Sequence, residues 1–296
     1  MPFSAFLDYL QLEKKYSSHT ITAYSADLNA FKKFIYDSFG QEDLLSVNYS
    51  QVRSWIVQLS EAGINNRSIN RKLSSLKAYY RFLLKIGDIE YSPLAKHKAL
   101  KTAKKIQIPF SQDEVVNVLE DMDDSTFEGL RDKFIVELFY STGIRRAELI
   151  NIKIEDLDLS SCNLKVLGKR NKERYIPLVG SVTRTAKKYL NLREAQDMPY
   201  ADGYLFLTPK GDKVYESFVY RIINNYFSRV SGKLKKSPHI LRHSFATHLL
   251  NQGANLNAVK ELLGHSSLAA TQVYTHNNIS ELSKIHKNAH PRNNKD

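Results

Sequence analysis

Between Asn66 and Gly87 the chain carries two different surfaces at one helical spacing. Ile69, Leu73, Leu76, Tyr80 and Leu83 recur every three or four residues, which an α-helix gathers into one apolar stripe. Arg67, Arg71, Arg81 and Lys85 fall on another stripe, with small Ser74 and Ala78 between them. Such a helix has to bury one side against other helices and leave a cationic side open. The same period recurs upstream. Residues 3–14 predict a short helix with Phe3, Phe6, Leu7 and Leu10 on one side. Ser17, Ser18 and Thr20 are candidate caps for a second helix reaching Phe39, and a third runs from about Tyr49 to Ala62. Gly40, Gly63 and Gly87 stand where the second, third and fourth helices stop. Residues 1–87 therefore read as a helical domain.

The cationic stripe is either an ordinary solvated face or a surface for a polyanion. Charge distribution favours the second. From Arg67 to Lys105, eleven lysines and arginines face only Asp88 and Glu90, leaving +9 there out of +12 for the chain. Cations concentrated in this way suit nucleic acid, because each one near a phosphate releases a counterion. Arg67, Arg71, Arg81 and Lys85, followed by Lys101, Lys104 and Lys105, are the candidate DNA-binding residues. Residues 88–108, with Pro93 and five lysines, read as a basic linker between domains.

The second domain spans residues 109–296. It opens at a capping box, Ser111 with Glu114. Asp121, Asp123 and Asp124 lie at that helix's end, without a matching ligand framework, and read as a solvated loop. An apolar helix over 129–141 ends at Gly143. Arg145 then starts the next helix, with Glu148 one turn on and able to hold its guanidinium. Cys162–Leu167 and Arg174–Leu178 predict a β-hairpin whose basic tip clusters Lys169, Arg170, Lys172 and Arg174; such a tip can enter a DNA groove, and Arg170 and Lys172 are candidate DNA-binding residues. Further helices are expected over 181–193 and 213–230, with a short strand near 204–206.

Cys162 is the only cysteine, so neither an intramolecular disulfide nor a cysteine zinc site is available. No apolar run approaches the roughly 18 residues of a membrane span. The N-terminus lacks a secretory pattern. The expected setting is a reducing cytoplasm, with no membrane partner.

Near the C-terminus, Ser237-Pro-His-Ile-Leu-Arg-His-Ser-Phe-Ala-Thr-His248 places His239 and Arg242 on one helical face. Its histidines invite a zinc reading. The run lacks the glutamate of His-Glu-x-x-His, however, and a cationic arginine separates the first two histidines, so no metal is expected. Gly253 breaks this helix, another covers Asn257–Leu263, and His265 precedes Tyr274 by nine residues.

Thr142-Gly-Ile-Arg-Arg-Ala-Glu-Leu149, Gly168-Lys169, His239-Ile-Leu-Arg242, Leu263-Gly-His265 and Tyr274-Thr-His276 together resemble the signature set of the tyrosine site-specific recombinases, the phage-integrase family. Size and the ending Leu282-Ser-Lys-Ile-His-Lys-Asn-Ala-His-Pro-Arg292 resemble its Xer subgroup. The resemblance implies a mainly α fold with a small antiparallel β-sheet. It implies two domains, a SAM-like core-binding domain and a catalytic domain, closing as a C-shaped clamp on duplex DNA. It makes Tyr274 the nucleophile, forming a 3′-phosphotyrosyl bond. Arg145 and Arg242 would hold the phosphate, and Lys169 would protonate the leaving 5′-oxygen. His239 would accept a proton near Tyr274, and His265 would hydrogen-bond the phosphate. Arginines would do the work of a metal, so neither cofactor nor ATP is implied. Four protomers, possibly including a second Xer recombinase, would act on two duplexes through a Holliday junction. A septal DNA translocase is a further implied partner, and a short apolar tail face, Leu282 and Ile285, would pack on a neighbouring protomer. Arg170 departs from the glycine often found after the hairpin lysine, and Arg146 is bulkier than the usual residue there.

The Xer resemblance implies resolution of chromosome dimers at cell division, and three other readings stand beside it. A phage or mobile-element integrase would share the chemistry. A type IB topoisomerase would cleave without exchanging strands. A silent DNA-binding regulator would tolerate losses from the set Arg145, Lys169, His239, Arg242, His265 and Tyr274.

Overall fold

The computed structural model describes residues 3–103, 107–168, 172–196, 203–233 and 235–264. The chain divides into two units, Met1–Lys105 and Ile106–Asp296.

The first unit is helical. α1 (Ser4–Asp8) passes into a π-helical turn, Tyr9–Glu13, where the sequence predicts one uniform helix. The wider turn keeps Phe6 and Leu10 buried and sets the Tyr9 ring 5.0 Å from Phe82. α2 (Ser18–Phe39) starts at Ser17, whose hydroxyl accepts from the Thr20 N–H, and stops at Gly40. α3 (Tyr49–Glu61) starts with an Asn48–Gln51 capping box. α4 (Asn66–Ile86) starts at Asn65 and ends at Gly87. The whole expected stripe of α4, from Ile69 to Leu83, is buried, packing with Leu28, Phe31, Ile35 and Trp55.

The cationic stripe of α4 is not uniform. Arg67 and Arg81 are exposed. Arg71 makes a two-pronged bond to Asp27 of α2, at 2.6 and 2.8 Å, and Lys72 and Ser75 also donate to that carboxylate. Lys85 pairs with Glu13 at 3.0 Å. The segment following α4 is strapped onto it. Asn70 exchanges hydrogen bonds with the backbone of Leu100, Asn66 donates to the Lys101 carbonyl, and Lys77 donates to that of His97. The basic stretch read as linker is thus laid along α4 at least as far as Lys101.

The second unit is built around α6 (Phe127–Thr142), which is buried on nearly every side. Around it pack α5 (Gln112–Asp121), α8 (Gly180–Ala195), α9 (Glu216–Val230) and α10 (Pro238–Asn251). The Ser111–Glu114 capping box is present. Among the described residues one sheet forms: β1 (Leu157–Asp158), β2 (Asn163–Leu167) and β3 (Glu173–Pro177), all antiparallel. Leu164 faces Ile176 and Val166 faces Arg174 across β2 and β3. Instead of a strand near 204–206 there are isolated bridges, Lys153 with Tyr204 and Leu207 with Lys213. α7 (Arg146–Leu149) and α11 (Leu256–Leu262) are short and bring the site together. Of the acidic trio, Asp123 accepts from Ser125 and Asp124 pairs with Lys133, as loop residues do.

Candidate active site

α6 ends at Gly143 with φ of 58°. A Cβ there would sit 2.4 Å from Phe245 and 2.7 Å from Leu263, so the turn needs both the left-handed backbone and the missing side chain. This tight turn delivers Arg145 to the start of α7. Glu148 then accepts from the Arg145 N–H and from its guanidinium, both at 2.8 Å. The arginine's direction is therefore fixed by its own helical turn.

Arg242 arrives from α10, whose start is set by Ser237 at the cap and Pro238 in the first turn. Its guanidinium is buried and donates to the carbonyls of Gly143 and Leu263, the latter at 2.7 Å. Arg145 donates to the next carbonyl, Gly264, at 3.0 Å. Arg174 of β3 donates to the preceding one, Leu262, at 3.2 Å. Three guanidiniums thus meet three successive carbonyls where α11 ends, at the negative pole of its peptide dipoles. Burial, then the neighbouring Arg145, pushes Arg242 down to about 10. Positive charge is thus gathered in the pocket, which suits an anion.

His239 shares the exposed edge of this pocket. Burial, then the charges of His243, Arg242 and Lys235, hold its pKa below the usual histidine value, favouring neutral imidazole, the form that accepts a proton. Arg145, Arg146, Tyr220, Ser237, His239 and Arg242 line a cleft of about 460 Å³. Arg146, the bulky departure at this position, is paired with Glu216 of α9 at the rim. His248, one of the histidines that invited a zinc reading, is buried against the Tyr140 hydroxyl at 2.8 Å.

Of the six residues expected to act on the phosphate, Arg145, His239 and Arg242 come together in this cleft. Lys169, His265 and Tyr274 lie outside the described residues, as do Arg170, Lys104, Lys105 and the apolar tail positions Leu282 and Ile285. Lys172 is exposed where its carbonyl accepts from the Gly168 N–H, closing the hairpin base. Lys101 is exposed beside α4. Two features escaped the sequence reading. Tyr220 reaches the cleft from α9, and no local spacing announces it. Arg174 clusters with the basic hairpin tip in sequence, yet it shares the inward face of β3 with Ile176, while Glu173 and Tyr175 face out. That alternation was the available signal.

Residues 108–281 match the phage integrase family, and residues 3–87 match the phage integrase N-terminal SAM-like domain. The tyrosine recombinase XerC of Anoxybacillus flavithermus is 38% identical over 290 residues, covering 97% of this chain and 96% of the relative. Among solved structures, the Tn1549 transposon integrase in complex with transposon right-end DNA shares the fold with a TM-score of 0.72, at 20% identity, covering 95% of this chain and 97% of the other. XerH recombinase bound to a palindromic difH substrate, a post-cleavage complex, superposes with a TM-score of 0.69 at 21% identity, covering 92% of this chain and 77% of the other. With its guanidinium-lined cleft, its helical first unit and these matches along nearly its whole length, the chain belongs to the phage integrase family, the tyrosine site-specific recombinases, and within it to the Xer group.

Proposed function

We propose that this chain cuts and rejoins duplex DNA at a specific site, and that it resolves chromosome dimers at cell division. The observation that carries the chemistry is the convergence of Arg145 and Arg242 on adjacent carbonyls, beside His239. A phosphodiester is an anion that repels nucleophiles. Two fixed guanidiniums neutralise its non-bridging oxygens and stabilise the charge that accumulates there during attack. Tyr274 attacks phosphorus, His239 accepts its proton, and Lys169 protonates the departing 5′-oxygen, with His265 on the phosphate. A 5′-hydroxyl then attacks the phosphotyrosine, so the bond energy is kept and no ATP is consumed.

The cellular role rests on the strong likeness to XerC recombinases along the whole chain. In this reading the protein works on two duplexes as a tetramer, with a second Xer recombinase and a septal translocase, in the cytoplasm. No helix among the described residues is long and apolar enough to cross a membrane. Residues 1–87 serve as the core-binding domain, residues 88–108 as the connection and residues 109–296 as the catalytic domain.

The decisive experiment is trapping on a nicked suicide duplex that carries the recombination site found beside the chromosomal terminus. Wild-type protein yields a denaturant-stable covalent adduct in the presence of a metal chelator, and Tyr274→Phe yields none. An adduct that persists in that variant overturns the assignment.

A further inference from the structure

Arg174 is the guanidinium that this chemistry leaves unused. Its side chain is only 6% exposed. A cation buried that deeply must be paired, and all three of its nitrogens donate. Nη1 and Nη2 take the two oxygens of Glu148 at 3.0 and 2.8 Å, and Nε takes the Leu262 carbonyl. Two glycines make room for it. A Cβ on Gly264 would stand 3.1 to 3.3 Å from the guanidinium, and one on Gly168 would stand 3.3 Å from Nη1. Gly264 directly precedes His265 in sequence, and Gly168 directly precedes Lys169.

We propose that Arg174 is a positioning residue of the phosphate site: it holds Glu148 as a fixed carboxylate, so that Glu148 can aim Arg145, and it locks the end of α11 on which Arg242 and Arg145 are also anchored. The inference rests on the reading of Arg145 and Arg242 as phosphate ligands. Glu148 is buried and on that ground would favour the neutral acid. Hydrogen bonds and charge from Arg174, followed by bonds from Arg145, offset that burial and hold it ionised. The charged groups facing Glu148 are Arg145 from its own turn, Arg174 from β3 and Arg242 from α10, while α11 presents backbone carbonyls. Among the described residues, three guanidiniums against one carboxylate leave an excess of positive charge, the sign that an attacked phosphodiester requires. Lysine cannot substitute, because a single ammonium lacks the planar fork that spans both oxygens of Glu148 and the Leu262 carbonyl.

The test compares Arg174→Met, Arg174→Lys and Arg174→Met/Glu148→Gln with wild type in single-turnover adduct formation on the suicide duplex. The pH runs from about 6.5 to about 9, with duplex affinity and Tm measured alongside. Without Arg174, less opposes the burial of the Glu148 carboxyl, which shifts toward its neutral form and loosens its hold on Arg145 toward the acid end of this range. The variant-to-wild-type rate ratio for Arg174→Met is therefore expected to climb at least about tenfold as pH rises and the carboxylate re-forms. Duplex affinity stays within about threefold, because the guanidinium faces Glu148 and not solvent. Arg174→Lys shows the same trend more weakly. The double variant, which has no carboxyl left to titrate and no unpaired buried charge, is slow with a flat ratio. A flat ratio in both single variants overturns the proposal, as does a double variant that keeps the pH trend. If Arg174→Met does not fold, Arg174→Lys and the double variant decide. Failure of the underlying site reading looks different, because Arg145→Ala would then form adduct at the wild-type rate.

Discussion

Arg242 and Arg145 donate to neighbouring carbonyls, Leu263 at 2.7 Å and Gly264 at 3.0 Å. Their residues come from α10 and from the turn after α6, so this backbone corner registers two distant parts of the fold against each other. Each guanidinium spends donors on the protein and keeps the rest for the cleft. The arginine pair is held in place by the protein itself, which is what transition-state stabilisation by fixed charges requires.

Arg242→Lys is therefore expected to bind duplex DNA nearly as wild type does and to form covalent adduct about a hundredfold or more slowly. An ammonium keeps the charge but cannot reach Gly143, Leu263 and a phosphate oxygen together. Single-turnover cleavage on the suicide duplex with a parallel affinity titration separates the two effects. A lysine variant cleaving at the wild-type rate would show that the fork geometry is irrelevant.

Gly143→Ala strikes the same corner through the backbone. The added methyl would stand 2.4 Å from Phe245 and 2.7 Å from Leu263, on a residue at φ of 58°. Overpacking and left-handed strain together are expected to lower stability by about 2–4 kcal/mol. Adduct formation should fall as well, because Arg242 is bonded to the displaced carbonyl. Chemical denaturation monitored through Trp55 would be blind to it if the two units unfold separately, so calorimetry is the better measurement.

Much of this was legible because it is local. The α4 stripe, the Ser111–Glu114 box and the glycine stops declare themselves within a few residues, and the structure places them as expected. Arg145, Glu148, His239 and Arg242 were legible as motifs, because helical spacing sets His239 and Arg242 on one face and Glu148 under Arg145. What stayed hidden depends on contacts across long separations. Tyr220 reaches the cleft from α9, Asp27 waits beneath Arg71, and Asn70 clasps Leu100. Arg174 was half legible: strand alternation pointed it inward, but the basic company of Lys172 masked the signal. The π turn at Tyr9–Glu13 has no sequence marker and follows from packing.

The Asn70 clasp makes a prediction for hydrogen exchange. The Leu100 N–H donates to the Asn70 side chain and the Leu100 carbonyl accepts from it. Asn70→Ala removes both bonds at once from a segment with no regular secondary structure. Amides near Leu100 should then exchange at least about tenfold faster, while those in the middle of α4 keep their protection. Trypsin should also cut at Lys98 and Lys101 sooner. Unchanged protection at Leu100 would mean that Asn66 and Lys77 suffice to hold the segment.

Asp27 lies under the basic face of α4, 1% exposed, and receives Arg71, Lys72 and Ser75. Burial pushes its carboxyl up, but the bonds from Arg71, Ser75 and Lys72 more than offset this and hold it below the usual aspartate range. A carboxyl whose folded pKa is depressed adds stability that is fully present above its unfolded value, about 4, and is lost as pH falls through the folded value. Asp27→Asn should therefore flatten the loss of first-unit stability below about pH 4. At neutral pH it should cost about 1–3 kcal/mol, reduced from a fully buried pair because Arg71 remains half exposed. The same change frees Arg71 from a fixed direction without removing its charge. Duplex affinity is then expected to hold or rise slightly at low salt. If Arg71 needs Asp27 to present it to a phosphate, affinity falls instead, by about as much as in Arg71→Ala, since either change loses that one contact. Titration of Asp27→Asn and Arg71→Ala at two salt concentrations distinguishes a supporting aspartate from a competing one.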